Sequence, residues 1–159
     1  MNRIIPKINI SELINHGLGS NKSSKIIRQI KKACLDIGFF EIQNHGIKPE
    51  LINSTLVVCK KFFNLPFNKK LKLSPKKWNK KNSNIYRGYF PNSVNGKEGL
   101  DIGDPFLDKS MTEIISRDKF ETLNLKKVLD EKSILTIENY FHSLFGLGQI
   151  LFKSIIKSF

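Results

Sequence analysis

Arginine, histidine, cysteine and tryptophan are all scarce in this chain of 159 residues, and each shortage removes a class of function. The two cysteines, Cys34 and Cys59, have no neighbouring Cys or His at ligand spacing, which leaves no disulfide framework and no zinc motif. Free thiols are the expected state. Long apolar runs are missing as well: the greasiest stretch, residues 140–159, is interrupted by His142, Gln149, Lys153 and Lys157. It falls short of the roughly 18 unbroken apolar residues of a membrane span. The first seven residues contain neither an apolar core nor a small-residue cleavage site, so no secretory leader is visible and the chain reads as cytoplasmic. No segment repeats another.

What is present is enough for one domain, or a large part of one. Hydrophobic residues make up 40% and include twelve Phe, so a real core is available. The net charge is +13, and of the 27 basic residues four are Arg (Arg3, Arg28, Arg87, Arg117). Lysine is a point charge, whereas specific recognition of phosphates and bases leans on bidentate arginine, so nucleic acid is disfavoured as a specific partner. Residues 60–81 hold nine Lys (60, 61, 69, 70, 72, 76, 77, 80, 81) and no acid, while residues 98–121 hold seven acids against three bases. The lysine stretch is read as docking near the acidic one, as a solvated face, or as a phosphate-binding surface in which Phe67 and Trp78 could stack.

Hydrophobic spacing gives the elements. A short extended piece around Ile4, Ile8 and Ile10 leads to Ser11 as the cap of one helical turn, broken by Gly17-Leu18-Gly19. Ile26, Ile27, Ile30, Ala33, Cys34 and Ile37 recur every three or four residues and predict a helix over 23–37, stopped at Gly38. Phe39 to Gln43 reads as a strand running into the Asn44-His45-Gly46 turn. Pro49 opens a second helix over about 48–63, with Leu51, Ile52, Leu56, Cys59, Phe62 and Phe63 on its apolar side. Residues 64–84 are expected to be a solvated connection, with at most a helical turn near 69–73. Residues 85–91 form the next strand and 92–108 a loop. A long helix is expected from about residue 125 to the end, with Gly146 and Gly148 as weak points. Gly38, Phe39, Phe40, Leu51, Phe62 and Phe63 are assigned to the core.

Read in order, four motifs resemble the N-terminal region of the isopenicillin N synthase-like, non-haem Fe(II)/2-oxoglutarate-dependent dioxygenases. Ile5-Pro6-Lys7-Ile8-Asn9-Ile10-Ser11 is similar to that family's I-P-x-I-D-L-S opening, with Asn9 in place of Asp. Residues 33–47, with Gly38-Phe39-Phe40 and Asn44-His45-Gly46-Ile47, resemble its A-x-x-x-G-F-F-x-[VI]-x-N-H-G-[IV] segment, and this match is the most specific. Phe62-Phe63-Asn64-Leu65-Pro66 resembles its F-F-x-L-P helix end. Tyr86-Arg87-Gly88-Tyr89-Phe90-Pro91, followed by Lys97-Glu98-Gly99-Leu100-Asp101, resembles its R-G-Y-x-P…K-E-x-x-D stretch.

The resemblance implies an α+β fold: a helical region with short strands near Ile4, Phe39 and Tyr86 that normally packs on a double-stranded β-helix, a jelly-roll barrel absent from this chain. Residues 1–105 would be the N-terminal region, and residues 106–159 a loop and long helix leading toward the barrel, or toward a protein partner. For the complete enzyme it implies Fe(II), 2-oxoglutarate and oxidation of a small molecule. The chemistry itself is missing here. The three histidines, His16, His45 and His142, are followed two places on by Leu18, Ile47 and Leu144, so no His-x-Asp exists, and no Arg is followed two places on by Ser. His45 is read as bonding locally, His16 as solvated and His142 as structural or exposed. No catalytic residue, metal ligand or bound cofactor is therefore expected of the chain itself.

The resemblance places Arg87 and Tyr89 near the mouth of the barrel as substrate contacts, since a guanidinium can grip a carboxylate while a phenol orients it. Equally open is a pairing of Arg87 with Glu98 or Asp101 that staples the following loop. A stand-alone basic binding module, for nucleic acid or for another protein, is the alternative reading of the whole chain.

Overall fold

The computed structural model describes residues 4–91, 96–104 and 123–159, which fall into two compact units, residues 1–49 with 142–159 and residues 50–141. In the first unit, β1 (Lys7–Asn9) pairs in parallel with β2 (Glu41–Gln43), with Ile8 opposite Ile42. Asn9 Oδ1 accepts the Ser11 N–H at 3.0 Å just ahead of α1 (Ser11–His16), where Ile10 holds the cap position without a side-chain bond and Ser11 is the first helical residue, not the cap expected. A 3₁₀ turn, Gly17–Gly19, follows. Ser20 then caps α2 (Asn21–Asp36): its Oγ accepts the Ser23 N–H at 3.1 Å while Ser23 Oγ donates to Gly17 O at 2.6 Å. The helix therefore begins ahead of Ser23, which is wholly buried with its hydroxyl satisfied.

One face of α2, Ile26, Ile27, Ile30 and Ala33, packs with Ile8, Ile10, Leu13 and Leu147 into a core. The expected spacing is the packing face. Ala33 O accepts the N–H of both Ile37 and Gly38, and Gly38 takes φ +93°, which ends the helix without side-chain strain. Gly38 and Phe39 correct the core assignment: both are exposed, Phe39 at 57%, whereas Phe40, the next residue, packs against the core. Consecutive residues of an extended chain face opposite sides, and only one of the two can point inward.

The second unit is built on α3 (Pro49–Phe63). Its buried stripe is Thr55, Val58 and Phe62, while Leu56 is 53% exposed, so the face is rotated from the one expected. Thr55 can be buried because its hydroxyl donates to Leu51 O at 2.8 Å. After Leu65-Pro66 come α4 (Phe67–Lys70) and a 3₁₀ turn, Leu71–Leu73. Residues 64–84 are not a solvated connection throughout: Lys70, Leu73, Ser74 and Pro75 are buried. Asparagine amides make this possible by donating to backbone carbonyls, Asn79 to Leu71 O at 3.0 Å and Asn82 to Ser74 O at 2.6 Å.

β3 (Gly88–Phe90) runs antiparallel to β4 (Gly99–Asp101), with Tyr89 opposite Leu100. β4 replaces part of the expected 92–108 loop, whose residues 92–95 and 105–108 lie outside the described residues, as do most of the acids of the 98–121 stretch. The C-terminal helix starts later than expected. Asn124 caps a short 3₁₀ turn, Leu125–Lys127, and Asp130 Oδ1 then accepts the Ser133 N–H at 2.8 Å to open α5 (Glu131–Ser158). Gly146 and Gly148 lie inside it without breaking it. The core of this unit joins Val58, Phe62, Leu73, Tyr89, Leu125, Leu129 and Ile134. No helix among the described residues is long and apolar enough to cross a membrane.

Candidate functional site around the β3–β4 hairpin

The chemistry of the second unit gathers on one carboxylate. Tyr89 is 1% exposed and packs edge-on against Phe62 at 5.9 Å, and its hydroxyl donates to Glu98 Oε2 at 2.5 Å. The same oxygen accepts from Lys70 Nζ at 2.7 Å. Lys70 also donates to Phe63 O at 2.9 Å, and its ammonium lies 5.1 Å from the Tyr89 ring centroid. One lysine thereby ties together the last turn of α3, the end of α4, the inner residue of β3 and the approach to β4. Its side chain is 9% exposed, and a lysine enters such a place only with its donors satisfied.

Protonation equilibria follow from the contacts. The hydrogen bonds from Lys70 and Tyr89 hold the Glu98 carboxyl below its ordinary 4.5. Burial works against the charge on Lys70, but the hydrogen bond to Glu98 and the nearby charges outweigh it and leave the ammonium above its ordinary 10.5. Burial, then the bond to Glu98, raises Tyr89 above 10.0. A depressed carboxyl contributes stability that is present above its unfolded value and lost as the pH falls through its folded one; a raised Lys or Tyr contributes stability lost on the alkaline side. Thermal melts should therefore show a plateau that declines below about pH 4.5 and again above about pH 10, where these groups titrate. In Glu98→Gln the acidic shoulder should shrink relative to the parent, and an unchanged profile would remove Glu98 as its source.

Arg87 faces the other way. Its Nη1 donates to Asp101 Oδ1 at 2.7 Å, with the two side chains 25% and 48% exposed. Both expected substrate contacts thus sit on one hairpin, Tyr89 inside with its hydroxyl held by Glu98, Arg87 at the surface against the residue that pairs with Gly88 across the hairpin. Sequence reasoning left the 60–81 lysines open between docking near the 98–121 acids, a solvated face and a phosphate surface; Lys70 takes the first course with Glu98, which was weighed singly only as a partner for Arg87. For Lys70 nothing in the charge pattern distinguished it from its neighbours, whereas Glu98 belonged to a quoted motif.

The histidines are apart. His45 Nδ1 accepts the Ile47 N–H at 3.1 Å, His16 lies 3.6 Å from Glu12, and His142 is exposed. Among the described residues no three His, Cys, Asp or Glu side chains come close enough together to hold a metal. The donors among the described residues do not fit an Fe(II) centre, which needs two His and a carboxylate on one face of the ion.

The model of the family described as non-haem dioxygenase in morphine synthesis, N-terminal, matches residues 5–133. Among curated proteins, a 1-aminocyclopropane-1-carboxylate oxidase of Dictyostelium mucoroides is 43% identical over 68 residues, 43% of this chain and 18% of that protein. A 2-oxoglutarate-dependent dioxygenase of Talaromyces stipitatus is 31% identical over 91 residues, 57% of this chain and 27% of its own length. The crystal structure of the rice dioxygenase for auxin oxidation shares the fold over 98% of this chain and 45% of its own, with a TM-score of 0.67 and 18% identity. The chain thus corresponds to less than half of each.

Proposed function

Because the chain belongs to the non-haem dioxygenase N-terminal family, we propose that it is the scaffolding part of an Fe(II)/2-oxoglutarate-dependent oxygenase that oxidises a small molecule in the cytoplasm. The family match over residues 5–133 carries this reading. The partial coverage of every compared relative supports a double-stranded β-helix outside these residues as the carrier of iron and 2-oxoglutarate. Residues 1–105 serve as the scaffold, and 106–159 lead toward the barrel. The exposed apolar residues of α5, among them Phe145, Phe152 and Ile156, are the surface that barrel covers.

Within this reading Arg87 is the substrate-facing residue, and Tyr89 acts by fixing Glu98 and the hairpin that presents it. In the complete enzyme, Arg87→Ala should raise KM for a carboxylate-bearing substrate by about tenfold or more, the loss of a charge-assisted pair. In the isolated chain the same change should cost at most about 1 kcal/mol, because the Asp101 pair is partly solvated. An unchanged KM would assign Arg87 to the hairpin staple alone.

The overall proposal is tested by supplying Fe(II), ascorbate and 2-oxoglutarate and measuring succinate. The 159-residue chain should form none above the metal-only background, and a longer product of the same locus carrying His-x-Asp, a later His and Arg-x-Ser should form it. Iron-dependent succinate from the 159-residue chain would overturn the assignment, as would a locus without those motifs.

A further inference from the structure

The turn that follows α4 carries a charge that nothing described nearby balances. Lys69, Lys72, Lys76, Lys77, Lys80 and Lys81 are all exposed, and none pairs with a described carboxylate. Elsewhere Lys7, Lys22, Lys32, Lys61 and Lys126 each have an acidic partner. Lys25, Lys48, Lys132 and Lys153 have no described one either, but they are scattered over separate elements, whereas these six fall within residues 69–81 on a hydrogen-bonded turn. Lys76 N–H donates to Asn84 O at 2.7 Å and Trp78 N–H to Pro75 O at 2.9 Å. The Asn79 and Asn82 side chains close the turn onto Leu71, Lys72 and Ser74 carbonyls.

From this placement we infer that residues 69–81 form a preorganised, sequence-independent binding face for the phosphates of single-stranded nucleic acid. A backbone already held in place pays no loop-ordering cost on binding, and lysines without a described acidic partner gain from counterion release, which point charges exploit without bidentate geometry. The absence of arginine from the face removes base-specific recognition but not backbone attraction. The apolar content favours this partner over a bilayer: within residues 67–81 Phe67, at 58%, is the one exposed large hydrophobic side chain, too little to anchor in a lipid interface. Trp78 is half-buried, its ring edge-on to Phe90 at 5.3 Å with Lys77 Nζ 4.9 Å from its centroid. Phe67, beside Lys69, can stack on an unpaired base of any kind, so affinity should be largely indifferent to base identity. The inference is independent of the oxygenase reading.

The test is fluorescence anisotropy of the full chain with labelled oligothymidylate and oligoadenylate. With about four phosphates neutralised, affinity should fall by roughly fiftyfold between about 50 and 200 mM salt. Replacing Lys72, Lys76, Lys80 and Lys81 by Gln should weaken binding by about tenfold or more and flatten the salt slope. A control with Lys25, Lys48, Lys132 and Lys153 replaced, all exposed and outside the turn, should bind within about threefold of the parent. Circular dichroism of both variants checks that the fold persists. Three results overturn the inference: no complex at low salt, equal losses in the two variants, which would assign binding to net charge alone, or turn-dependent binding to phosphatidylserine vesicles that is tighter than to either oligonucleotide.

Discussion

Gly88→Ala should be the most damaging small substitution in the chain, costing at least about 4 kcal/mol. Gly88 adopts φ +131°, a region that L side chains rarely enter, and a Cβ there would lie 2.0 Å from Leu73 O and 3.0 Å from Asn84 Nδ2. The first contact is with backbone, so no rotamer change relieves it. β3 must move away from the 3₁₀ turn at Leu71–Leu73, which uncovers Leu73 and Tyr89, and the Asn84 amide must also give way, at the expense of its bond to Arg87 O. At about 2–4 °C per kcal/mol for a chain of this size, the melting temperature should drop by roughly 8–16 °C, or the variant should fail to fold. A soluble Gly88→Ala melting within a few degrees of the parent would show that β3 and the turn do not approach this closely.

Lys70→Met should rank next, at about 2–3 kcal/mol. Breaking one side of a buried ion pair costs more than the pair contributes, because the remaining groups stay desolvated. Here the groups left behind are the Phe63 carbonyl, which loses its Lys70 donor, and the Glu98 carboxylate, which keeps Tyr89 but loses its countercharge. The figure lies below the usual range for buried pairs because the Glu98 side chain is 32% exposed and water can reach it. A cycle with Glu98→Gln separates the pair from its surroundings: the double variant should be less destabilised than the sum of the singles by about 1 kcal/mol or more. Strict additivity in chemical denaturation would mean the two side chains do not act together.

Much of this was legible in advance, for identifiable reasons. The face of α2 was readable because Ile26, Ile27, Ile30 and Ala33 are small or aliphatic residues at unbroken helical spacing that form one stripe, and that whole stripe is buried, against Ile8, Ile10, Leu13 and Leu147. The Gly38 stop and the Asn44-His45-Gly46 turn were readable because positive φ at Gly38, Asn44 and Gly46 selects residue types directly. α3 shows where the reading fails. Its apolar residues nearly encircle the helix, so the face turned inward depends on neighbours distant in sequence, and Thr55 displaced Leu56. β4 was hidden because Gly99-Leu100-Asp101 has little strand character without its partner. Of the candidate site, Arg87, Tyr89 and Glu98 stood out through a motif, while Lys70 was one lysine in nine.

The sequence by itself determined the order of the main elements, the helix and turn signals that bound them, the family resemblance and the lack of a His-x-Asp iron motif, because each depends on local spacing or residue identity. Only the tertiary structure decided which polar groups are buried. Lys70 and its exposed neighbours are the same residue type in the same local context, and they are distinguished by a carboxylate 28 positions away. The free energy of a charge is set by what surrounds it in space, and a linear pattern does not encode that for a single residue.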